Sequence, residues 1–390
     1  ILRSSSHMSW AVRYDQSRQM HILLISTSYP RDKSDWRGIF MRDLVFSLAR
    51  IPALKLRVWA PPGELPEHAQ TAVSPIDQQW LTRLMAAGGI SHLMRAGGWR
   101  SLGAPIRLLR MIAASYRANS DVDIYHINWL QCALPLPRNH KPALIATLGN
   151  DMKLLRLPLM RHLMRRVMRQ RKVVICPNAD WMQAPLLEAF GDVADIQPVS
   201  FGIDPRWYEL KRLPHRDGEP HCWIAISRLT ADKLGTLFSW SEDLFRDGSR
   251  ELHLFGPMQE DIQVPPWIHH HGPATPEQLA NDWFPHACGL ITLSQHPEGR
   301  PQVILEAMAA GLPVLASNMK AHSDIIVDGE TGKLCDSVEN YGTALRALED
   351  RKTNLRMGDA AKRWVMGEIG TWNDCAERYM QVYRRLLDLN

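Results

Sequence analysis

The 390-residue sequence lacks several features that mark particular classes of protein. It has no uncharged apolar run of 18 or more residues, so it predicts no transmembrane helix. Its six cysteines are scattered, with none within four residues of another, which argues against a zinc motif and a disulfide framework. The first residues have neither the apolar core nor the cleavage site of a signal peptide. We therefore expect reduced thiols in a cytoplasmic protein, with residues 1–19 as a tag or leader.

Charge is distributed unevenly along the chain. Residues 1–200 carry 26 Lys and Arg against 14 Asp and Glu, a net charge of +12, whereas residues 201–390 carry 20 against 27, a net charge of −7. A basic half predicts an anionic partner, such as a phosphorylated lipid, a bilayer surface or nucleic acid. The basic residues lack the interleaved aromatic residues that are typical of nucleic-acid binders, so we do not expect nucleic acid as the partner.

Short apolar runs alternate with helical patterns in both halves, as in βαβ units with parallel sheets. The first half starts with the apolar run His21–Ser26. The pattern restarts at Trp223–Ser227, after a stretch rich in Arg, Pro, Asp and Gly at Lys211–Pro220. The sequence thus predicts two Rossmann-like α/β domains, residues 20–200 and 201–371, that face a central cleft. Ligands of such sheets bind beyond the carboxyl ends of the strands.

A pair of glutamates marks the second half. Glu298 lies in a Gly/Pro loop after a strand, and seven residues separate it from Glu306 in a predicted helix that starts near Gln302. Free backbone N–H groups at a helix start form an anion or hydroxyl site, and carboxylates accept the paired O–H donors of sugars and ribose. Each glutamate alone fits an ordinary solvated position. The apolar neighbours of Glu306 favour a bound partner, because a lone carboxylate among them is costly.

The sequence Ala-Met-Ala-Ala-Gly-Leu-Pro-Val follows the second glutamate, and several other short elements accompany it. With this motif the sequence resembles the family-four retaining glycosyltransferases, which have the GT-B architecture of two facing Rossmann-like domains. Each element alone is a weak signal, but together they are specific. The resemblance runs over essentially the whole chain from Met20 and rests also on Phe201–Asp204, Ser227–Leu229 with Lys233 and Gly235, Phe255–Pro257, Trp283–Ser294 and Asp328–Gly332.

The resemblance implies a role for each of these residues. Arg228 and Lys233 neutralise the donor pyrophosphate, where the leaving nucleoside diphosphate develops charge. Glu306 holds the ribose, Glu298 holds the transferred sugar, and backbone groups near His271 meet the base. The co-substrate is a nucleoside-diphosphate sugar, and no metal or other cofactor is expected. The donor-binding set is Gly38, Arg228, Lys233, Gly256, His271, Gly272, Glu298, Gly299, Gln302, Val303, Ile304 and Glu306.

The first half contributes a glycine and a polar loop. Gly38 precedes a helix, and a glycine there lets backbone N–H groups approach a phosphate closely. Thr147–Asp151 matches a family loop that usually contains a histidine, but Leu148 or Gly149 stands in its place, which leaves this part of the mechanism open. His126 at a strand end suits the cleft, although a structural histidine fits that position equally well. The catalytic set is Glu298, Arg228, Lys233, His126 and Asp151.

The resemblance also implies that a helix over residues 372–390 crosses back to complete the first domain. Two basic stretches with apolar residues at helical spacing lie in that domain, Trp80–Arg117 and Leu154–Lys172. Such helices suit an anionic membrane surface, but a packed helix with a solvated basic face gives the same pattern. We expect a peripheral protein on the inner face of the membrane that extends a lipid-linked glycan in surface polysaccharide biosynthesis.

Two other functions remain open from the sequence. A sugar-nucleotide epimerase uses the same architecture, and a basic module with a vestigial site would bind nucleic acid or another polyanion. The donor base, the sugar, the acceptor, the linkage and the oligomeric state leave no trace in the sequence. In the resembling family, contacts with the base are largely made by the backbone.

Overall fold

A computed structural model of the chain describes residues 19–389 apart from 33–34, 36, 90–98, 214 and 216–217. The predicted leader up to residue 18 and part of the first basic stretch fall outside these ranges. Within the ranges, no helix combines the length and the apolar character that crossing a membrane requires. This finding agrees with the lack of long apolar runs in the sequence.

The first half forms a parallel sheet of seven strands in the order β3-β2-β1-β4-β5-β6-β7. Its central strands are apolar and buried on both faces, because helices cover each side of the sheet. The strands are β1 Met20–Ile25, β2 Leu54–Trp59, β3 Ala69–Thr71, β4 Ile124–Asn128, β5 Ala143–Thr147, β6 Val173–Pro177 and β7 Asp195–Ile196.

Helices connect these strands, and short 3-10 turns shape the carboxyl edge of the sheet. The turns Leu130–Ala133, Asn150–Arg156 and Asp180–Met182 follow β4, β5 and β6 respectively, so they line the edge at which ligands of parallel sheets bind. The helices of this half are α1 Ile39–Ala49, α2 Pro75–Ala86, α3 Trp99–Ala118, α4 Met160–Met168 and α5 Gln183–Phe190.

The second half forms a parallel sheet of six strands in the order β10-β9-β8-β11-β12-β13. The strands are β8 His221–Ile226, β9 Arg250–Phe255, β10 Ile268–Gly272, β11 Gly289–Thr292, β12 Val314–Ser317 and β13 Lys333–Cys335. The helices are α6 Pro205–Glu209, α7 Ala231–Leu234, α8 Leu237–Phe245, α9 Pro276–Gln278 with a π-helical continuation Leu279–Trp283, α10 Gln302–Ala309, α11 Lys320–Ser323, α12 Val338–Glu349 and α13 Arg351–Glu368.

A final helix, α14 Trp372–Leu386, lies against the first sheet rather than the second. It begins with a capping box, in which Thr371 and Asp374 bond each other's backbone N–H groups. Tyr379 and Tyr383 on its apolar face are fully buried in the core of the first half. The last helix therefore ties the end of the chain to its beginning.

A cavity of about 1310 Å³ lies between the two halves, lined by α1 of the first half and by α6, α9 and Glu306 of the second. In each sheet the strand order reverses once, between β1 and β4 and between β8 and β11. The crevice at such a reversal is where open α/β sheets bind ligands. The predicted pair of parallel α/β halves with a cleft between them is confirmed.

Candidate active site

An ion pair joins the loops that follow β8 and β11. Lys233 lies in α7, and its Nζ donates a hydrogen bond to Oε2 of Glu298. Both side chains are recessed, with 12% of Lys233 and 22% of Glu298 exposed. Burial lowers the pKa of Lys233, the Glu298 carboxylate opposes this shift, and the nearby Arg228 guanidinium reinforces it. Three predicted site residues therefore meet where the strand order of the second sheet reverses.

The turn that carries Arg228 is fixed by a glycine. The loops after β8 and β9 run side by side, and the N–H of Ser227 donates to the carbonyl oxygen of Phe255 over 2.9 Å. Gly256 has a φ of +140°, and a Cβ atom at this position would lie 1.7 Å from the carbonyl oxygen of Ser227. Only glycine permits such an approach. Gly256 thus holds the Arg228 turn in place, and its contact with the donor stays a prediction.

Glu306 in α10 lines the cleft on the side of α1 and α6. Burial raises its pKa to about 8, with the carboxylates of Asp43 and Asp204 adding to the shift and Arg206 opposing it. The carboxyl group is therefore mostly protonated at pH 7, and in that form it donates as well as accepts hydrogen bonds. Sequence reasoning did not single out Asp43 or Arg206. The available signal was that Asp43 lies on α1 close to Gly38.

His296, two residues before Glu298, lies close to the ion pair and was not predicted as a site residue. Its side chain is 18% exposed and its Nδ1 lies 3.9 Å from the carboxylate of Asp232. Its Nε2 is buried and has no hydrogen-bond partner among the described residues. Burial lowers its pKa, and the charges of Lys233 and Arg228 act in the same direction. A neutral imidazole therefore lies beside the ion pair.

Asp151 shapes the loop after β5 instead of facing the cleft, which corrects its predicted catalytic role. Its carboxylate accepts hydrogen bonds from the N–H groups of Leu148, Gly149 and Leu130 over 3.1, 3.0 and 3.2 Å. Burial raises its pKa to about 6, against the opposing effect of these bonds. Because all three donors are backbone groups of adjoining loops, Asp151 is a positioning residue for Gly149.

The loop held by Asp151 touches the opposite half of the protein. A Cβ atom on Gly149 would lie 2.1 Å from the backbone nitrogen of Gly299, directly after Glu298. Nearby, the indole Nε1 of Trp181 donates to the carbonyl oxygen of Gly299 over 3.1 Å. Arg300 also reaches across, with Nη1 2.5 Å from Oγ of Ser200. The first half therefore contacts the loop that carries Glu298 directly.

His126 lies in the core of the first half, which corrects its predicted place in the cleft. It is fully buried, its Nδ1 is 2.5 Å from the hydroxyl of Tyr383, and its ring packs on Tyr379 with centroids 4.8 Å apart. Burial lowers its pKa to about 3, so the ring is neutral. His126 turns towards α14, because alternate side chains of β4 point to opposite faces of the sheet.

Gly38 ends the loop after β1 with a φ of +77°. A Cβ atom there would lie 2.6 Å from Oγ of Ser28 and 3.0 Å from the backbone nitrogen of Tyr29. The glycine is therefore required by the packing of its own loop. Its approach to a donor phosphate stays a prediction.

The start of α10 offers backbone groups rather than side chains to a ligand. The amide Nε2 of Gln302 donates to the carbonyl oxygen of Gly202 over 2.7 Å. Val303 packs against the core of the second half, and Ile304 is fully buried in it. A donor contact by these residues is thus limited to the N–H groups of the first helical turn.

At β10, the side chain of His271 packs against Phe255 and Trp283, with ring centroids 4.8 and 4.6 Å away. The carbonyl oxygen of Gly272 accepts a hydrogen bond from the N–H of Gly256 over 2.8 Å. Both residues therefore stiffen the edge of the sheet near the Arg228 turn. Their backbone contact with a base stays a prediction.

The family model described as Glycosyl transferases group 1 matches residues 281–364, which include both motif glutamates. The matched segment is similar to glycosyl transferases group 1, and the chain is a glycosyltransferase. This glycosyltransferase is 25% identical, over 362 residues, to the GDP-mannose-dependent alpha-(1-6)-phosphatidylinositol monomannoside mannosyltransferase of Mycobacterium tuberculosis, covering 81% of this chain and 90% of the relative. It is also 35% identical over 114 residues to the D-inositol 3-phosphate glycosyltransferase of Streptomyces avermitilis, covering 28% and 24% of the two chains.

Solved structures share the fold of this glycosyltransferase at low sequence identity. Sucrose-phosphate synthase from Thermosynechococcus elongatus superposes with a TM-score of 0.68 at 16% identity, covering 95% of this chain and 100% of the other. Anabaena Alr3699/HepE in complex with UDP and glucose gives a TM-score of 0.64 at 14% identity, covering 93% and 99%. The architecture is GT-B, as the sequence resemblance implied.

Proposed function

We propose that this glycosyltransferase transfers a sugar from a nucleoside-diphosphate sugar, with retention of anomeric configuration, to a lipid-linked glycan in surface polysaccharide biosynthesis. The observation that carries the proposal is the Lys233–Glu298 ion pair beside Arg228. The first half contacts the same loop at Gly299. Two cations and a carboxylate there suit a diphosphate and the hydroxyls of the attached sugar. The relative from Mycobacterium tuberculosis makes GDP-mannose the first donor to test.

In the proposed reaction, each charged side chain of the site has a separate role. The donor diphosphate binds Arg228 and Lys233, which stabilise the charge that develops as the glycosidic bond to phosphate breaks. Glu298 accepts a hydroxyl of the transferred sugar, and Glu306 holds the ribose diol. These side-chain cations take the part that a metal ion plays in other transferases, so we propose that no metal takes part in the transfer.

The route that we propose for retention rests on the placement of Asp151. A covalent glycosyl-enzyme needs a carboxylate facing the anomeric carbon. Asp151 is the acidic residue of the matched loop, and its oxygens are engaged with three backbone N–H groups. We therefore propose attack on the face from which the diphosphate leaves, with the leaving phosphate accepting the proton of the acceptor hydroxyl.

The product is expected to keep the anomeric configuration of the donor, because the acceptor attacks the face from which the diphosphate leaves. Thermal-shift screening of GDP, UDP and ADP, followed by their sugars, would identify the donor. The coupling constant of the anomeric proton in the NMR spectrum of the product then reports the configuration. An inverted product would contradict the mechanism, and loss of turnover in EDTA without a fall in Tm would contradict transfer without a metal. Epimerisation of the donor without transfer to any acceptor would favour an epimerase.

The lipid-linked acceptor is supported by the surface of the second basic stretch. Leu157, Leu159 and Leu163 are exposed by 49%, 74% and 46%. The neighbouring Arg156, Arg166 and Arg169 are exposed too. In contrast, Arg161 and Arg165 pair with Glu188 and Asp192, and Arg171 is buried against backbone carbonyls. Apolar and unburied basic side chains on one surface suit the headgroup region of an anionic membrane.

Liposome co-sedimentation is expected to show binding to anionic but not zwitterionic vesicles, and less binding at higher salt. Each basic residue near an anionic surface contributes about 1 kcal/mol. The triple variant Arg156→Glu, Arg166→Glu and Arg169→Glu should therefore bind at least about 100-fold more weakly. A matched triple variant on α13, Arg351→Glu, Lys352→Glu and Arg356→Glu, should bind like the unchanged protein. Absence of binding to both vesicle types at low salt would indicate a soluble acceptor.

A further inference from the structure

Three potential metal ligands meet at the amino end of the second sheet, the edge opposite the cleft. His221 is the first residue of β8, and Cys288 directly precedes the neighbouring strand β11. The N–H of Cys288 donates to the carbonyl oxygen of Cys222 over 2.7 Å, which fixes the register of the two strands at this edge. His215, from the segment that enters β8, stacks on His221 with ring centroids 4.2 Å apart.

The ligand atoms have spacings close to those of a tetrahedral metal site. Sγ of Cys288 lies 3.5 Å from Nδ1 of His221, and the donor atoms of all three residues lie within 4.8 Å of one another. Zinc bonds of about 2.0–2.3 Å at tetrahedral angles place ligand atoms about 3.3–3.8 Å apart. His221 and Cys288 already match this spacing. His215 is exposed, so it can close the remaining distance by rotating its side chain.

We propose that His215, His221 and Cys288 bind one Zn²⁺ ion. Two imidazoles and a thiolate form a nitrogen and sulfur donor set, which selects zinc over the oxygen-seeking ions Mg²⁺ and Ca²⁺. On binding, the thiol of Cys288 releases its proton to solvent and forms the Zn–S bond, while each imidazole donates a neutral nitrogen lone pair. The exposed side of His215 leaves the fourth position to water.

The ion would anchor the segment that enters β8 to the amino end of the second sheet. Part of that segment is already anchored, because the N–H of Leu213 donates to the carbonyl oxygen of Pro285 over 2.8 Å. Nη1 of Arg212 also donates to Oδ1 of Asn354 over 2.7 Å. The metal would extend this anchoring to His215. Its role is structural, since the strands separate it from the carboxyl edge that holds Lys233.

The test uses the full-length protein after removal of metals with a chelator. Zn²⁺ is expected to bind with one equivalent per chain and to raise the Tm, and Co²⁺ to give the absorption band of a cobalt–thiolate bond. Cys288→Ser should abolish that band, and His221→Ala and His215→Ala should each weaken Zn²⁺ binding at least tenfold. Because His215 is exposed, His215→Ala tests the site without disturbing the core.

Two variants serve as matched controls. Cys222→Ser removes the neighbouring thiol, which packs towards the core on the other face of β8, and it should leave the cobalt band unchanged. His270→Ala alters the exposed histidine run of β10 and should leave Zn²⁺ affinity unchanged. A cobalt–thiolate band that persists in Cys288→Ser, a loss of Zn²⁺ binding in His270→Ala, or the absence of any zinc-dependent rise in Tm would overturn the assignment.

Discussion

Lys233→Ala is expected to lower kcat by about 10²–10³-fold, the usual effect of removing one group that stabilises a developing oxyanion. The ammonium group is recessed and already oriented by Glu298. A preorganised charge of this kind needs no reorganisation when the diphosphate leaves. Arg228→Ala is expected to cost a similar factor, because its guanidinium acts on the same part of the cleft.

The comparison for these variants is Lys352→Ala, which removes an exposed lysine of α13 and should leave kcat unchanged. Steady-state kinetics with the donor found by thermal shift would be measured for all three variants. The Tm of each variant establishes that it is folded. Near-normal turnover in a folded Lys233→Ala or Arg228→Ala protein would show that the diphosphate is bound elsewhere.

Gly149→Ala is expected to reduce kcat/KM by about 100-fold, the cost of displacing a reacting group by about 1 Å. The added Cβ would lie 2.1 Å from the nitrogen of Gly299 and 2.6 Å from the carbonyl carbon of Glu298. Both contacts are with backbone atoms, which cannot rotate away. The two halves must therefore separate locally, and Glu298 moves away from the first half.

Part of any effect at Gly149 would come from its backbone, since its φ of +105° disfavours a residue with a side chain. Gly248→Ala is the control for a glycine of positive φ elsewhere in the fold, because Gly248 has a φ of +77° and no atom within 4 Å of the position of its Cβ. Small-angle scattering would report whether the Gly149→Ala protein is more open. If kcat/KM falls equally in both variants, contact between the halves has no role in turnover.

The sheets were predictable because buried parallel strands are written as continuous apolar runs, such as His21–Ser26 and Trp223–Ser227. The ion pair of Lys233 and Glu298 was predictable in outline, since both residues follow neighbouring strands and match family elements. Its direct contact was not, because the distance between two loops depends on packing that local sequence does not encode.

His126 shows the limit of reasoning from one strand. Its position near a strand end suggested the cleft, but its partner Tyr383 lies in a helix 257 residues further along the chain. The predicted place of Asp151 in the cleft was wrong for a related reason. A carboxylate in a polar loop suits catalysis, but the backbone N–H groups of that same loop needed an acceptor and took this one.

The packing of α14 on the first sheet delays the completion of the first half during synthesis. The ribosome releases the strands of the first half early, but the helix that covers part of their core emerges after residues 201–371. At about 5–20 residues per second this interval is on the order of 10–30 s. During it, the apolar surface that later receives Tyr379 and Tyr383 stays open to water or to a chaperone. The core of the first half therefore stays incomplete until the second half and α14 have been translated.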